Sequence, residues 1–398
     1  MKPKPQIAHD GADMPKGTTL QVRETNRWKN LCKSQSVLSH CGGHKMKSLL
    51  RRLLVIFPLL ILFVPLIGDT TDANAQQLRE TFRRVRQSVV IVRTQEKTIA
   101  PLLRQGLVNS GGQASGVLIS DDGKVLTAAH VVQAVDKVFV EFSDGRIVTA
   151  RVISSATNAD VALLQLDTVP KGVSPAPVGD SDQVEVGDHV FVVGAPYGLA
   201  LTLTVGHVSG RATPKHSLTS MSASAWEFFQ TDAAINGGNS GSPMFNWNGE
   251  VIGIVSNILS HSGGFEGIGF AATSKMARLL LEQKPFWSGM EGMLVQGDLA
   301  GLLNLPQPAG FLVQRVAEGS PGWRLGIRPC TLRASIEGND LLLGGDIILS
   351  INGIEVLEGD ASMDSIYESV SNLKAGDKVV ARVLRAGRVV ELSTVITL

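Results

Sequence analysis

The chain has 398 residues, of which 43% are hydrophobic and 18% charged, a composition typical of globular protein and of a length that allows two or three domains. Its 37 basic and 36 acidic residues give a formal net charge of +1. No basic stretch is interleaved with aromatic residues, so the electrostatic footprint needed to bind nucleic acid is missing. Global disorder and a nucleic-acid partner are therefore excluded.

The N-terminal segment has the pattern of an export signal. Residues 1–45 are polar and irregular and are expected to be a disordered extension or an upstream stretch of reading frame. Basic residues then precede an unbroken apolar run, Leu53–Ile67, which has the length of a signal-peptide core and is shorter than the roughly 18 residues that span a bilayer comfortably. Small residues at Ala73 and Ala75 favour cleavage before Gln76. Residues 46–75 are thus predicted to be a signal peptide, with a retained membrane anchor at 53–67 as the alternative.

Three cysteines are too few for a disulfide framework. Cys32, His40, Cys41 and His44 fit the spacing of no standard zinc finger and lie in the N-terminal extension, so no metal site is predicted there. Signal cleavage would leave only Cys330, so no internal disulfide is expected. The chain implies no metal and no organic cofactor.

Residues 76–284 have the pattern of an all-β domain. An amphipathic helix leads into a first strand at Ser88–Val92, and a glycine-rich loop is expected through Gly106–Gln113. Short apolar segments then recur at intervals of about 10–15 residues with turn residues between them, which favours an antiparallel barrel or sandwich. A helix predicted at Ser274–Gln283 closes this domain, because Pro285 cannot continue it.

Residues 285–398 are predicted to form a second, smaller β-rich domain with one or two helices. Strand-like runs are separated by the turns Asn352-Gly353 and Ala386-Gly387, as hairpins require. A helix is expected at about Ser362–Leu373.

The stretch DAAINGGNSGSP places Ser240 among glycines, where it is either a nucleophile or a hydroxyl in a turn. A nucleophilic serine needs a histidine as base, and the histidine needs a group that orients it. His130 ends an apolar strand after two alanines, and Asp160 precedes a run apolar enough to be core, where an unpaired carboxylate is costly. Alone, Asp160 reads as a turn cap; in the order His, Asp, Ser on a β-rich chain, the three predict a catalytic triad.

The glycines near Ser240 have a role in this interpretation. The backbone N–H groups of Gly238 and Ser240 are candidates for an oxyanion hole, and Gly237 and Gly238 can adopt the backbone shape that aims them without Cβ strain. Ser242 stands where the G-x-S-x-G elbow of an α/β-hydrolase requires glycine. The motif therefore favours a β-barrel type of serine site.

The segments TAAH, NADVALLQL and GGNSGSP, together with YGLALTLTVGHVSG and GEVIGIVSNIL, resemble the HtrA (Deg) family of trypsin-like serine proteases over about Gln76–Leu398. The resemblance implies a mainly β fold with two six-stranded barrels, an active site in the cleft between them and a C-terminal PDZ-like domain. It implies His130 as general base, Asp160 as its orienting group and Ser240 as nucleophile. Ser242 departs from the usual glycine, and we expect a packing difference with activity retained.

Substrate preference is predicted from the walls that the family places around the pocket for the residue before the scissile bond. None of the candidate wall residues is charged, which favours cleavage after small or medium aliphatic residues, such as Val, Ala or Ile, in unfolded chains. The candidates are Ile235, Asn236, Val255, Ser256, Asn257 and Ile258.

The C-terminal domain resembles a PDZ domain, which binds a peptide C-terminus by β-augmentation behind a carboxylate-holding Φ-G-Φ loop. The best match is Trp287-Ser288-Gly289-Met290, with Ser288 at a usually apolar place and the groove wall at Ile366 and Val370. The alternative is that Trp287 and Met290 only pack the interdomain linker. Residues Cys330–Leu343 form an insertion with no assigned role.

Two functions remain open on the sequence. One is an endopeptidase of the bacterial cell envelope, periplasmic or secreted, that cleaves misfolded proteins under PDZ control; the other is a chaperone-like or peptide-binding module with a dormant protease domain. The loop Gly210–Gln230 is a candidate for regulation by ordering. The resemblance implies homotrimers, with Phe82 as a contact, and the short loop expected at Gln95–Gln113 argues against large cages.

Overall fold

The structure is a computed structural model that describes residues 70–99, 107–198, 201–212, 226–260, 262–336, 339–359, 361–374 and 376–396. From Thr71 onward these residues belong to one compact unit. The predicted extension, the N-terminal Cys/His group and residues 46–69 of the predicted signal segment lie outside the described residues, as does most of the expected regulatory loop. Residues 70–75 of the signal segment belong to a helix, Thr70–Val85. Within the ranges given, no helix is both long enough and apolar enough to cross a membrane.

Helix α1 (Thr70–Val85) leads into a closed six-stranded barrel with strand order β1-β2-β3-β6-β5-β4. Apolar residues alternate along its strands because successive side chains of a strand point to opposite faces. In β6, Ala162, Leu164 and Leu166 pack inside the barrel, whereas Val161 and Leu163 pack outside it. The strands are β1 (Val89–Ile99), β2 (Leu107–Leu118), β3 (Lys124–Thr127), β4 (Lys137–Glu141), β5 (Ile147–Ala156) and β6 (Val161–Leu166), with a short helix α2 (Ala129–Val132) after β3.

A second closed barrel follows, with strand order β10-β11-β12-β9-β8-β7. Phe191, Phe245 and Ile254 face away from its interior and join the outward face of β6 in one buried cluster between the two barrels. Helix α3 (Ser274–Gln283), where the sequence predicts it, adds Met276 and Leu280 to that cluster. The strands are β7 (His189–Gly194), β8 (Thr202–Ala212), β9 (Phe228–Thr231), β10 (Pro243–Asn246), β11 (Val251–Ile258) and β12 (Gly269–Thr273).

The C-terminal region forms a separate sheet of order β13-β14-β17-β19-β20, with β18 paired to β17. Both predicted turns have positive φ at their two central residues, 49° and 82° at Asn352-Gly353 and 47° and 76° at Ala386-Gly387, as hairpin turns of this twist require. The elements are β13 (Met290–Gln296), α4 (Gly297–Leu302), β14 (Ala309–Val316), α5 (Pro321–Arg324), β15 (Leu332–Ile336), β16 (Asn339–Leu343), β17 (Ile347–Ile351), β18 (Ile354–Glu355), α6 (Ala361–Ser371), β19 (Lys378–Arg385) and β20 (Arg388–Val395). The expected mainly β architecture, a double barrel followed by a β-rich region with helices, is confirmed.

Three local expectations differ from the structure. The glycine-rich loop expected at Gly106–Gln113 belongs largely to β2, where Gly111 and Gly112 pair with Gln95 and Thr94 of β1. A Cβ on Gly112 would lie 2.5 Å from the Thr94 hydroxyl, so glycine at this position permits the close pairing of β1 with β2. The glycine-rich composition of this stretch had instead indicated a loop. The wider loop expected at Gln95–Gln113 is also mostly strand, because β1 extends to Ile99 and β2 begins at Leu107. The insertion Cys330–Leu343 folds mostly into the two-stranded β15–β16 sheet.

Candidate active site

His130 lies on α2, the single helical turn that follows β3 of the first barrel. Ala128 and Ala129, which precede it, are fully buried, so small side chains bring this turn close against the barrel. The imidazole itself keeps 51% of its surface exposed. The first barrel therefore presents one nitrogen-bearing edge of His130 to solvent.

Asp160 ends the 3-10 turn Thr157–Ala159 immediately before β6. It adopts a left-handed conformation with φ 50° and ψ 42°, and its backbone N–H donates to the Thr157 carbonyl. Aspartate tolerates this region better than most residues because its short side chain hydrogen-bonds locally. The strained turn swings the carboxylate, only 17% exposed, towards His130.

The two side chains form a hydrogen-bonded pair. Nδ1 of His130 lies 3.0 Å from Oδ1 and 2.9 Å from Oδ2 of Asp160, and the His130 backbone N–H donates to Oδ1 at 3.0 Å. The Ser256 hydroxyl on β11 donates to Oδ2. With Nδ1 held as donor to a carboxylate, Nε2 is left as the nitrogen that can accept a proton.

The surroundings of His130 favour its protonated form. Burial by itself would lower the pKa of His130, but the hydrogen bond to Asp160, the Asp160 charge and the charge of Glu291 together outweigh burial and raise that pKa above its usual value of 6.5. Glu291 lies on β13 of the C-terminal sheet. A residue outside both barrels thus contributes to the electrostatics of the pair.

Ser240 comes from the second barrel, on the turn between β9 and β10. Two hydrogen bonds from Ser115 of the first barrel hold this turn: its N–H donates to the Ser240 carbonyl and its hydroxyl to the Gly238 carbonyl, both at 2.9 Å. The Ala195 N–H in turn donates to the Ser115 hydroxyl at 3.0 Å. Ser115 therefore ties the loop of Ser240 to the barrel that carries His130 and Asp160.

Two glycines of this turn have conformations or neighbours that exclude a side chain. Gly238 and Gly241 have φ of 96° and 80°, whereas Gly237, also expected to matter for backbone shape, has no positive φ. A Cβ on Gly241 would lie 2.2 Å from the Ser115 carbonyl oxygen and 2.3 Å from the Thr127 hydroxyl. Since Thr127 ends the strand just before α2, the bare backbone of Gly241 allows close approach to the His130 segment.

Ser242 is fully buried, and its hydroxyl has no hydrogen-bond partner among the described residues. A Cβ built on Gly194 of β7 would lie 2.0 Å from this hydroxyl and 2.6 Å from Oδ1 of Asn239. The extra hydroxyl of Ser242 thus occupies space that glycine leaves free at position 194.

The six predicted pocket residues divide between core, surface and carboxylate contact. Ile235 and Val255 are buried with Ile258 packed against the same cluster, Asn257 is exposed, and the Asn236 carbonyl accepts from the Asn239 N–H. The Ser256 hydroxyl donates to Oδ2 of Asp160. Phe265 and Gly269, which the sequence did not single out, lie beside Ile235.

Two of the four residues predicted to bind peptide, and both residues predicted for the groove wall, line a mostly apolar cavity of about 90 Å³ in the C-terminal region. Ser288 and Met290 line it on one side, and Ile366 and Val370 of α6 on another. Gly289 has φ 69°, and a Cβ there would lie 2.1 Å from Ser320.

The Trp287 indole N–H donates to the Gln133 carbonyl of the first barrel at 3.0 Å. Phe82 on α1 packs, partly buried, against the cluster between the barrels. Among the described residues, no group of three or more His, Cys, Asp or Glu side chains could hold a metal ion.

Four residues near the site were missed as partners of the pair or its loop: Ser115, Gln133, Ser256 and Glu291. Each is separated from its partner by many residues or lies on a different barrel, so neither spacing nor local composition could identify it. The only signal was that Gln133 and Ser115 are polar residues within apolar runs that fold into buried elements.

Residues 114–254 match the family model of the trypsin-like peptidase domain. The chain is 35% identical over 296 residues to a probable periplasmic serine endoprotease, DegP-like, of Hahella chejuensis, which covers 72% of this chain and 57% of that protein. A relative described in the same words from Ectopseudomonas mendocina is 38% identical over 282 residues, 69% of this chain and 54% of that protein. The chain thus spans just over half the length of these relatives.

Solved structures are also similar to the chain. The HtrA-type protease AlgW with decapeptide matches with a TM-score of 0.45 and 29% identity, over 79% of this chain and 97% of that one.

Proposed function

Since the chain belongs to the HtrA (Deg) family of trypsin-like serine proteases, we propose that it is a serine endopeptidase that cleaves unfolded or misfolded proteins. The observation that carries the proposal is the His130–Asp160 pair, held by three hydrogen bonds on one barrel, with the Ser240 turn of the other barrel anchored beside it through Ser115.

In this mechanism the Ser240 hydroxyl attacks the carbonyl carbon of the scissile peptide bond while Nε2 of His130 takes its proton. Asp160 keeps Nδ1 protonated and stabilises the imidazolium that forms. The proton then passes from Nε2 to the leaving amine, the C–N bond breaks and an acyl-enzyme remains. Water, deprotonated by His130, hydrolyses the acyl-enzyme and regenerates the Ser240 hydroxyl.

The oxyanion of each tetrahedral intermediate would be held by the backbone N–H groups of Gly238 and Ser240. Two features support this assignment: the positive φ of Gly238, and the hydrogen bond that fixes its carbonyl to Ser115, which constrains the orientation of the following peptide. Such fixed donors stabilise developing charge without reorganising during the reaction. Loss of one typically costs about 100- to 1,000-fold in kcat.

Substrate selection is proposed to rest on uncharged walls. Ile235, Val255 and Ile258 supply apolar surface near the turn, and Asn257 stands exposed beside them. This lining favours small or medium aliphatic residues before the scissile bond. A peptide-library profile dominated by Arg or Lys at that position would contradict it.

The C-terminal domain is proposed to bind the C-termini of peptides. Among the described strands, β13 pairs with β14 alone and is an edge strand. Beyond Met290, whose carbonyl accepts from Gln133, its other edge would receive an added strand. The cavity beside it, lined by Met290, Ile366 and Val370, would take an apolar side chain. By similarity to the periplasmic relatives, the cell envelope is the proposed location, and a homotrimer through α1 with Phe82 remains part of this proposal.

Degradation of casein by wild type and by Ser240→Ala tests the endopeptidase activity. We expect Ser240→Ala to lose at least about a thousandfold in kcat, because the nucleophile is gone and only binding and oxyanion stabilisation remain. Ser242→Ala is the matched control, a neighbouring hydroxyl deletion that should keep activity. Equal degradation by wild type and Ser240→Ala would favour the alternative of a chaperone-like or peptide-binding module with a dormant protease domain.

A further inference from the structure

Gln133 is a buried polar residue directly after helix α2, three positions beyond His130. Only 8% of it is exposed. A buried carboxamide is costly unless its donors and acceptor are satisfied, so its partners are informative about why it is there.

Its partners come from three different segments. Nε2 donates to the Met290 carbonyl on β13 at 3.0 Å, and Oε1 accepts from the hydroxyls of Ser155 at 3.2 Å and Thr157 at 3.4 Å. Its backbone carbonyl accepts from the Trp287 indole at 3.0 Å. Because a carbonyl oxygen can only accept, the NH₂ group must face Met290, which fixes the orientation of the amide.

These contacts close a ring around the catalytic pair. Thr157 begins the 3-10 turn that ends at Asp160, and the Asp160 N–H donates to the Thr157 carbonyl at 3.1 Å. Asp160 holds His130, and one helical turn leads from His130 back to Gln133. The Gln133 side chain therefore joins the segment of the base to the segment of its carboxylate at a point outside the pair itself.

Strand β13 of the C-terminal domain also contacts these residues. Met290 begins β13, and Glu291 follows it, 3.6 Å from Arg315, which is paired with Glu96 of β1 at 2.9 Å. Strand β13, one wall of the proposed peptide groove, is thus connected through the Gln133 side chain to Ser155 and Thr157, in the segment that leads to Asp160.

We propose that Gln133 is a positioning residue for the His130–Asp160 pair, and that its carboxamide makes the edge strand β13 part of the support of that pair. The inference rests on the proposed endopeptidase function, to which it adds a residue that touches neither substrate nor the reacting atoms. Without the carboxamide, the segments 129–133 and 155–160 lose their link and β13 loses its anchor at Met290.

Gln133→Met in the full chain tests this proposal, because methionine matches the length of glutamine and removes both donor and acceptor. We expect kcat on a short chromogenic peptide to fall roughly tenfold or more, the scale of a small misplacement of catalytic groups, with KM within about twofold of wild type. The matched control is Gln307→Met, which deletes a carboxamide bonded to the Ala309, Leu349 and Val356 carbonyls inside the C-terminal sheet. It should lower stability without changing kcat.

A second measurement separates this proposal from the proposed function. In a Ser240→Ala background, the pKa of His130 is followed by NMR titration of its imidazole, which needs no activity. Gln133→Met should lower that pKa, because the hydrogen bond to Asp160 loosens and Glu291 is no longer held near the ring, whereas Gln307→Met should leave it unchanged. An inactive wild type would count against the proposed endopeptidase function. The titration would still decide whether Gln133 positions the His130–Asp160 pair.

The proposal is overturned if Gln133→Met loses stability as Gln307→Met does but keeps both wild-type kcat and the wild-type pKa of His130. If Gln133→Met does not fold, Thr157→Val tests the same link, since valine replaces the exposed hydroxyl with a methyl group of similar size. For Thr157→Val, a fall in kcat and in the His130 pKa that is smaller than the fall expected for Gln133→Met supports the proposal. No change in either contradicts it.

Discussion

The buried Ser242 hydroxyl has no hydrogen-bond partner in the part of the chain that the structure describes. Leaving a buried hydroxyl unpaired costs about 1–3 kcal/mol. We expect Ser242→Ala to raise the free energy of unfolding by up to about 1 kcal/mol, measured by denaturant unfolding, with peptide kcat unchanged. A fall in stability would show that the hydroxyl has a stabilising partner.

Gly194 and Ser242 should be energetically coupled. A Cβ at position 194 would meet the Ser242 hydroxyl at 2.0 Å, so Gly194→Ala should destabilise by about 1–3 kcal/mol through overpacking. In a Ser242→Gly background that loss should shrink by at least about 0.5 kcal/mol, since one of the two close atoms is gone. Additive effects in the double-mutant cycle would argue that the backbone, not the hydroxyl, excludes a side chain at 194.

Glu291 gives a prediction about pH. The base must be neutral to accept the proton, so activity falls as pH drops through the pKa of His130, which Asp160 and Glu291 hold above 6.5. Glu291→Gln removes one negative charge, lowers this pKa and moves the acid limb of kcat/KM to lower pH. Glu282→Gln on the exposed end of α3 is a charge-matched control that should leave the limb in place, and an unmoved limb in both variants would exclude an effect of Glu291.

At the scale of elements, α3 shows how one amphipathic helix joins the two barrels. Leu280 is 1% exposed in the cluster between the barrels. Leu280→Ala should lower the free energy of unfolding by about 2–5 kcal/mol, because it removes buried methyl groups and leaves a cavity. Glu282→Ala, exposed on the same helix, should change it by less than about 0.5 kcal/mol. Similar losses in both variants would contradict the assigned faces.

Helices and strands could be predicted from the sequence where the apolar pattern was strong. The prediction was wrong where glycine dominated the composition. The helical period of α3 and the short apolar run of β6 identified both elements, because burial is encoded directly in the residue types. Strand β2 begins LVNSGGQ, which carries turn chemistry, yet it pairs with β1 along its length. Pairing with a distant strand overrides local propensity, and that partner is not visible in a local window.

At the scale of the whole molecule, the Gln133 side chain connects the proposed peptide groove at Met290 to the segment that ends at Asp160. If a peptide C-terminus adds a strand to β13, both edges of that strand are paired, and its amide hydrogens should exchange more slowly. A titration with an apolar C-terminal peptide, followed by hydrogen exchange, should show this protection along 290–296 together with altered exchange at 155–160. Ile366→Glu, which puts a charge into the cavity, should abolish both changes. Protection of 290–296 without any change at 155–160 would indicate that the groove and the catalytic segment are not linked.

The sequence by itself singled out the residues of the proposed triad, His130, Asp160 and Ser240 in order, together with the glycines of the Ser240 turn and the β-rich class. Those features are encoded in residue type and in the spacing of apolar residues, which repeats every two residues in a strand and every three to four in a helix. Both can be read from the linear chain. Only the tertiary structure decided which groups support them. Ser115, Ser256 and Glu291 reach the site from separate strands and from the C-terminal sheet. Gln133 lies three residues after His130, but its own partners, Ser155, Thr157 and Met290, are distant in sequence. Barrel closure and domain docking join these residues.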